Sequence, residues 1–427
     1  MPIVAEVRPD ATIIETIYDP IEGATSFAVC DPEGHIAVLP AFDLPDGRRL
    51  VPYSASNNLL TSGCVLLPSG VGEVGDVGEL VADIRRYIAR YVDVSAEFLA
   101  LAPYYVLLSW VYDAFKEVPY LRLLGAWGSG KTRGLLTIGS ICYTPFFASG
   151  ASTVSPIFHI LDRFRGTLVL DEADLRWSDT TNELVKILNN GTVDGLPVLR
   201  TMTNRHRELN PQAFRVFGPK LLAMRESFQD DALESRFITE STARRALPTG
   251  IPLHTPDTLA IEARSLRNRL LGYRLRYRHA VGPDGARAIS GVDARTNQMA
   301  LPLLSLIEDN EECARIAAWL AGLSGARDEA RGQLPEALVL AAVVDAFSHE
   351  TGPYVSIADI ARRFNDASIA LGRSPMTNKW VGGVVRQAFG LMTSKSNGVY
   401  GIPRAQWARV QKLAAARVVP ARFDLPS

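Results

Sequence analysis

The sequence has few of the features that would place it outside the cell or in a membrane. Of 427 residues four are cysteine, Cys30, Cys64, Cys142 and Cys313; they lie far apart and form no CxxC pair, so neither a disulfide framework nor a zinc site is suggested. The N-terminus carries Glu6, Arg8 and Asp10 where a secretory leader would need an apolar core. The most apolar run, Phe98–Val111, is too short to cross a bilayer and contains Pro103, so it is expected as a buried helix. No internal repeat or low-complexity tract is present. A cytoplasmic protein with no membrane partner is the expectation. Net charge is also nearly absent, at −1, but it is unevenly spread. From Ser356 onward the acids are Asp359, Asp366 and Asp424, against eleven lysines and arginines. Such a basic end is compatible with nucleic acid, although many basic domains bind none.

What the chain does have is centred on one stretch. An apolar run, Tyr120–Leu124, enters Gly125, and Gly125-Ala126-Trp127-Gly128-Ser129-Gly130-Lys131-Thr132 fits G-x-x-x-x-G-K-[ST] at every fixed position. Glycines let the backbone turn so that several N–H groups face one phosphate, with no Cβ in its way. A helix starting near Lys131 would aim its positive end at the same anion. Lys131 adds a mobile cation, and the Thr132 hydroxyl can ligate Mg²⁺. Gly125, Gly128, Ser129, Gly130, Lys131 and Thr132 are therefore the expected ATP-binding residues. About 40 residues on, Arg165-Gly166-Thr167-Leu168-Val169-Leu170-Asp171-Glu172 reads as a buried parallel strand ending in acids. Asp171 would hold Mg²⁺ with Thr132, and Glu172 would polarise the attacking water.

At this length two or three domains are expected. Residues 1–78 read as a small β-rich accessory domain of short apolar runs between Asp-Pro, Pro-Glu-Gly and Pro-Asp-Gly turns, with His35 structural and 71–78 a linker. Residues 79–330 read as alternating strands and helices, which imply a parallel sheet with helices on both faces, an α/β P-loop NTPase core. Strands are expected at Thr144–Ala148, Pro197–Thr203, Phe214–Phe217 and Lys220–Met224. The segment Asn204-Arg205-His206-Arg207-Glu208 lies between the second and third of these. Thr255-Pro256-Asp257 is expected to cap a helix bearing Arg264, Arg267, Arg269, Arg274, Arg276 and Arg278. Six arginines on one helix read first as a solvated face, with a nucleic-acid or inter-subunit role as the alternative.

Residues 331–427 are expected to form three helices, Pro335–His349, Ile357–Phe364 and Thr377–Phe389. A hairpin follows through the Asn397-Gly398 turn, from Leu391–Thr393 to Val399–Ile402. That is the winged-helix order. Its third helix offers Lys379 and Arg386 to a DNA groove and its wing offers Lys395. Winged helices also serve as protein-interaction modules, and the sequence leaves that open.

With these motifs laid out, residues from about 100 to 320 resemble the AAA+ ATPases, and among them the helicase group that includes the minichromosome-maintenance proteins. Ser235-Arg236-Phe237 resembles that group's element whose arginine reaches the neighbouring subunit's nucleotide. The Arg205-His206-Arg207 segment falls where such helicases place a hairpin that touches DNA. Arg295 falls where a second sensor arginine would contact the γ-phosphate. One departure stands out: the family's Asn after the fourth core strand is replaced by Arg225-Glu226-Ser227, so either Arg225 or Ser227 substitutes or the water-positioning is altered. The chain also looks like compact AAA+ proteins of plasmids, phages and integrated elements. The resemblance implies a Mg²⁺- and ATP-dependent homo-hexameric helicase on DNA, with single strand in the channel and duplex at the winged helix. The rival is an AAA+ switch or DNA-binding regulator whose hydrolysis remodels a protein partner and unwinds nothing; a small-molecule P-loop kinase is a distant third.

Overall fold

The structure is a computed structural model, and it describes residues 2–171, 179–203, 209–228, 230–243, 247–332, 334–396 and 398–416. Two compact units are present, Met1–Ala321 and Gly322–Ser427.

The first unit opens with an antiparallel sheet of four strands in sequential order, β1 (Ala5–Val7), β2 (Ile13–Asp19), β3 (Ala24–Cys30) and β4 (Ile36–Leu39). Residue 78, where a boundary was expected, lies within the first unit. Residues 58–68 lie on the main sheet's edge: Val65 bridges Phe146, Leu66 N–H donates to Pro145 O and Phe147 N–H donates to Cys64 O. Val4, Leu60, Val65 and Leu67 share one apolar core with Tyr120, Phe146 and Leu168. Such a cover takes up part of the edge strand's ladder.

Two helices follow, α1 (Val77–Tyr91) and α2 (Ala96–Val111), capped by Asp76 and Ser95. The main sheet comprises β5 (Tyr120–Gly125), β6 (Phe146–Ser149), β7 (Leu168–Asp171), β10 (Lys220–Met224) and β11 (Phe237–Thr242). Between β7 and β10 the chain forms a separate hairpin, β8 (Val198–Thr203) with β9 (Leu209–Phe214). All pairs in the main sheet are parallel and its order is β11-β5-β10-β7-β6, so β10 lies between the P-loop strand and the strand ending in Asp171.

Alternate residues serve opposite faces, as a strand's period of two requires. Tyr120, Leu168, Leu170 and Leu222 pack with α4 (Val154–Phe164) and α5 (Asp179–Asn190). Leu123 and Val169 meet α3 (Lys131–Gly139) so closely that a Cβ on Gly134 or Gly139 would lie 2.7 or 2.9 Å from them.

In the first unit three expectations about strands and helices need correction. The strand expected at Phe214–Phe217 runs instead from Leu209 to Phe214, through Pro211. Proline is tolerated there because both strands of an isolated ribbon are edges. The arginine-rich helix α6 (Thr258–Tyr277) starts after a tight turn in which Leu259 N–H bonds Pro256 O, with Asp257 as its cap residue. Nor is that helix a solvated arginine face. Arg274 and Arg267 are 2 % and 6 % exposed. Arg274 binds Glu15 of β2 through Nε and Asp113 through both terminal nitrogens, at 2.9 and 3.0 Å, while Arg267 donates to Ser140 O at 2.6 Å. Burial raises the Glu15 carboxyl's pKa and the Arg274 charge opposes that rise. α7 (Ala294–Leu304) and the start of α8 (Asn310–Gly332) complete this unit.

The hairpin's root is fixed by Lys220, which is fully buried, with Nζ donating to Val216 O, Gly218 O and Gly191 O at 2.7, 3.0 and 3.4 Å. Burial pushes its pKa down to about 7; the three carbonyls and the Tyr120 ring, 4.7 Å away, favour the charged form.

In the second unit the order is α9 (Pro335–His349), β12 (Tyr354–Ser356), α10 (Ile357–Ala370), α11 (Asn378–Gln387), β13 (Ser394–Ser396), β14 (Val399–Pro403) and α12 (Trp407–Ala416). The strands pair antiparallel as β12-β14-β13. The hairpin therefore forms at Ser394–Ser396 where Leu391–Thr393 was expected, because Leu391 turns into the core. Thr377 caps α11 through its hydroxyl, which accepts from Trp380 N–H.

In the main sheet, Arg122 of β5 is 3 % exposed and its guanidinium makes a two-pronged pair with Glu234, both contacts 2.6 Å. Glu234→Ala would leave that charge buried and is expected to destabilise the first unit by about 3–5 kcal/mol. The urea midpoint of the transition reporting the first unit measures it. An unchanged midpoint removes the pair from the account of stability.

Candidate nucleotide site

The P-loop is the turn from β5 into α3. Gly128 and Gly130 have φ of +72° and +85°, a backbone that side chains rarely adopt. Gly125 is needed for closeness instead: a Cβ there would lie 2.2 Å from Thr242 O at the end of β11. Thr242 also bonds the loop through its hydroxyl, 2.8 Å from Ser129 Oγ. Lys131 Nζ donates to Gly125 O and Ala126 O at 2.6 and 2.7 Å, so its ammonium lies within the loop's own curve.

Thr132 Oγ1 donates to Asp171 Oδ2 at 2.8 Å. The two groups come from α3 and from the end of β7, with β10 between β7 and β5, so the sheet order brings them together. A hydroxyl beside a carboxylate is an oxygen donor set suited to Mg²⁺. Above Gly130 there is nothing within 4 Å of where a Cβ would be, which leaves the cradle open to a phosphate. These residues fit a Mg²⁺-nucleotide.

Two clefts flank Lys131. The smaller, about 130 Å³, is lined by Trp127, Gly128, Lys131, Thr132, Asp171 and Arg225 together with Ala223. The larger, about 380 Å³, runs past Ser129 and Gly130 to Val92, Asp93, Ala243 and Leu247. Its far wall was not anticipated from the sequence. Arg133 ties the following segment to α3 by donating to Pro252 O, 2.7 Å, and to Leu253 O. The one available signal was that Thr242 ends the strand paired to the P-loop strand.

The other expected site residues lie elsewhere. Arg236 directly precedes β11, whose first residue Phe237 pairs with Tyr120, while Gly125 pairs with Thr242 at the other end. Six residues of strand separate Arg236 from the P-loop level, roughly 20 Å at the usual rise. Its guanidinium donates to Ala232 O, and its Nε is buried with no hydrogen-bond partner among the described residues. Burial lowers the Arg236 pKa, and the like charge of Arg295 lowers it further. Arg295 sits in the first turn of α7 and lines neither cleft.

Glu172 and the segment Arg205-His206-Arg207 lie outside the described residues; the strands bearing that segment, β8 and β9, are paired in register from Val198↔Phe214 to Thr203↔Leu209. In the second unit Lys379, Arg386 and Lys395 are exposed. Lys379 and Arg386 are two turns apart on α11, and Lys395 on β13 lies 5.9 Å from the Tyr400 ring.

No family model matches the chain, and no curated protein matches it. Solved structures with some likeness include the apo C-terminal region of NrS-1, at 12 % identity and TM-score 0.39 over 91 % of this chain and 96 % of that one. SCCmec type IV Cch, an active helicase, shares 11 % identity at TM-score 0.40 over 96 % of this chain and 95 % of that one. Aeropyrum pernix Orc1 in complex with DNA shares 14 % at TM-score 0.23 over 77 % and 95 %. The functional reading therefore rests on geometry. Among the described residues no helix is long and apolar enough to cross a membrane.

The geometry separates the jobs of Lys131 and Asp171. Lys131→Ala is expected to weaken nucleotide binding by at least about tenfold with or without Mg²⁺. Asp171→Asn is expected to keep metal-free binding and lose most of the gain that Mg²⁺ brings. Calorimetric titration with ADP, with Mg²⁺ and with EDTA, checks both. Equal losses in the two variants under both conditions would take the metal away from Asp171.

Proposed function

We propose that the chain is a Mg²⁺-dependent ATPase of the AAA+ helicase type that acts on DNA as a homo-hexamer, in the replication of a plasmid, phage or integrated element. The observation that carries the reading is the two-ended layout of one sheet. Phosphate and metal groups gather at the carboxyl end of β5 and β7, while Arg236 stands roughly 20 Å away at the opposite end of β11. An arginine so placed cannot serve its own chain's P-loop. It can serve a second copy's.

In this reading Lys131 and the P-loop amides bind phosphate, Thr132 and Asp171 hold the metal, and Glu172 orients water. Bound Mg²⁺ would neutralise charge on the phosphate oxygens. Arg236 would present positive charge to the neighbouring subunit's nucleotide, and Arg295 would contact the γ-phosphate. Trans arginines contribute about 10³–10⁵ in rate in related chemistry. The second unit's helix–strand–helix–helix–hairpin order supports a winged helix that recruits duplex DNA through Lys379, Arg386 and Lys395. Arg205, His206 and Arg207, between β8 and β9, would grip the single strand.

One observation favours the remodeler as second reading. Leu199 and Leu209, on the strands of that hairpin, are 72 % and 76 % exposed, an apolar flank suited to contacting protein.

Mixed assembly tests the shared site. Arg236→Ala and Lys131→Ala are each expected to reduce turnover by about 10³-fold or more. Mixed together they should recover a measurable fraction of it, since some interfaces then hold both intact groups. Co-assembled mixtures no more active than either parent would end the trans role.

A forked-duplex assay separates the two readings. Arg205→Ala with Arg207→Ala should abolish unwinding and DNA-stimulated turnover while leaving basal turnover and duplex affinity in place. Lys379→Ala with Arg386→Ala should instead weaken duplex binding and flatten its salt dependence by about 0.7–0.9 for each phosphate no longer neutralised. Normal unwinding by the hairpin variant would leave the remodeler ahead.

A further inference from the structure

A third cleft, of about 570 Å³, is larger than either cleft beside Lys131 and shares no lining residue with them. Arg165 and Phe217 on its wall lie just before β7 and β10. It therefore opens at the amino ends of the main sheet, away from the carboxyl ends where the P-loop and Asp171 meet. Four carboxylates reach this cleft, and each is already engaged. Glu6 accepts from Arg8 at 3.1 Å, Asp113 from Arg274 at 2.9 and 3.0 Å, Asp162 from the Arg215 N–H at 3.1 Å, and Asp194 from Lys116 at 2.8 Å. Two arginines on the same wall are not. Arg165 and Arg215 are exposed, and their guanidinium groups have no hydrogen bond or ion pair among the described residues. What this cleft lacks is an anion.

The backbone shows that Arg165 is not there for the fold. It caps the end of α4 in the left-handed region, with φ +50° and ψ +38°, a position that glycine fills without steric cost. The next residue, Gly166, lies so close to Thr144 O that a Cβ would be 1.8 Å from it, so glycine stands where the packing demands it and arginine where the dihedral disfavours it. The Tyr112 hydroxyl donates to Arg165 O at 2.8 Å, a bond that any residue at that position could accept. Arg215 comes from the other side of the cleft. Its neighbours Phe214 and Val216 are 3 % and 0 % exposed, and alternation turns Arg215 outward between them. Its N–H bond to Asp162 ties this segment to the last turn of α4, just before Arg165.

Tyr112 and Phe217 give the same cleft an aromatic wall, their ring centroids 5.6 Å apart. The volume is within the range of small-ligand sites and far more than a bare phosphate needs. Guanidinium groups match phosphate oxygens through paired N–H donors, and aromatic rings accept the face of any base. We propose that this cleft binds a nucleoside phosphate, with Arg165 and Arg215 on the phosphate oxygens and the Tyr112–Phe217 wall against the base. A free mononucleotide and one unit of a single strand present the same chemistry. The site stands apart from the nucleotide reading of the P-loop, since it takes no group from that loop and lends it none.

The probe is thymidine monophosphate, which lacks the β- and γ-phosphates that a P-loop lysine contacts. Its binding to the full chain is followed by ligand-observed NMR, with thymidine, inorganic phosphate and single-stranded oligothymidylate as competitors. Thymidine and inorganic phosphate should each compete at least about tenfold less well than the monophosphate itself. Lys131→Ala should bind the monophosphate as the wild type does. Arg215→Ala and Arg165→Gly should each weaken it by about tenfold, and Arg215→Lys should recover part of the loss. Arg165→Gly should also raise the thermal midpoint of the first unit by about 1–2 °C, because glycine relieves the left-handed position. A gain in stability with a loss of binding is the reverse of what a structural arginine would give. If Arg215→Ala has no cooperative thermal transition, Arg215→Lys and Arg165→Gly carry the same contrast. Oligothymidylate that displaces the monophosphate, and loses affinity in Arg165→Gly, makes a strand the source of the ligand. Oligothymidylate without effect makes it a free nucleotide; both results support the cleft. Monophosphate binding that is absent, unchanged in both arginine variants, matched by thymidine or lost in Lys131→Ala would overturn the proposal, and the last of these alone would return the ligand to the P-loop.

Discussion

A charge buried in the middle of the central strand constrains the rest of the first unit. Arg122 lies three residues before Gly125 on a strand paired on both sides, where water cannot reach it. A lone guanidinium there would be intolerable, and Glu234 answers it with both carboxylate oxygens, helped by Thr239 Oγ1 at 3.1 Å and the Phe237 ring at 4.9 Å. Glu234 ends the short helix Asp231–Glu234, so the pair fixes the turn that presents Ser235 and Arg236. The strand that delivers the P-loop thus also positions the arginine at the sheet's other end. Replacing such a pair with apolar residues can be neutral or better for stability. Its use here is geometric: one rigid strand sets the distance between two groups that the proposed chemistry needs in different subunits.

That distance is what links fold to function. A parallel sheet collects strand carboxyl ends on one side, which is where Lys131, Thr132, Asp171 and Arg225 meet. The consequence is that groups at the amino ends, Arg236 among them, are excluded from that gathering. In the proposed assembly, Arg236 reaches a phosphate site only where one copy's amino end meets another's carboxyl end. Such a contact is head-to-tail, and it closes into a ring when the rotation per subunit divides a circle.

The legible part of the sequence was the part whose chemistry is local. Gly125–Thr132 could be read because phosphate binding by backbone demands glycines at fixed steps, and Leu168–Asp171 because a doubly covered strand must be apolar until it ends. The arginines of α6 could not be read that way. Arg274 is buried by partners 161 and 259 residues away, Asp113 and Glu15, and no local window contains them. The attachment of residues 58–68 to the main sheet could not be read for the same reason, since Val65 and Leu66 meet Phe146 and Pro145 only after the sheet has formed. Pro211 hid a strand because a ribbon's freedom from ladder pairing on its outer edges is a property of the fold.

The Arg225–Trp127 stack lies between these cases. Both residues were visible, one as a departure from the Asn of the family it resembles and one at a position inside the P-loop that the motif leaves unspecified. What the sequence could not supply was the register: Met224 opposite Leu124 puts Arg225 over Trp127. An Asn at that strand end would be short and neutral, suited to holding a water. An arginine is long and charged, and without a counter-surface it would compete with Lys131 for the same phosphate. An indole on the loop gives the charge a surface to stack on. Arg225 and Trp127 are therefore best read together, since the strand-end charge and the loop ring meet only once the register is set.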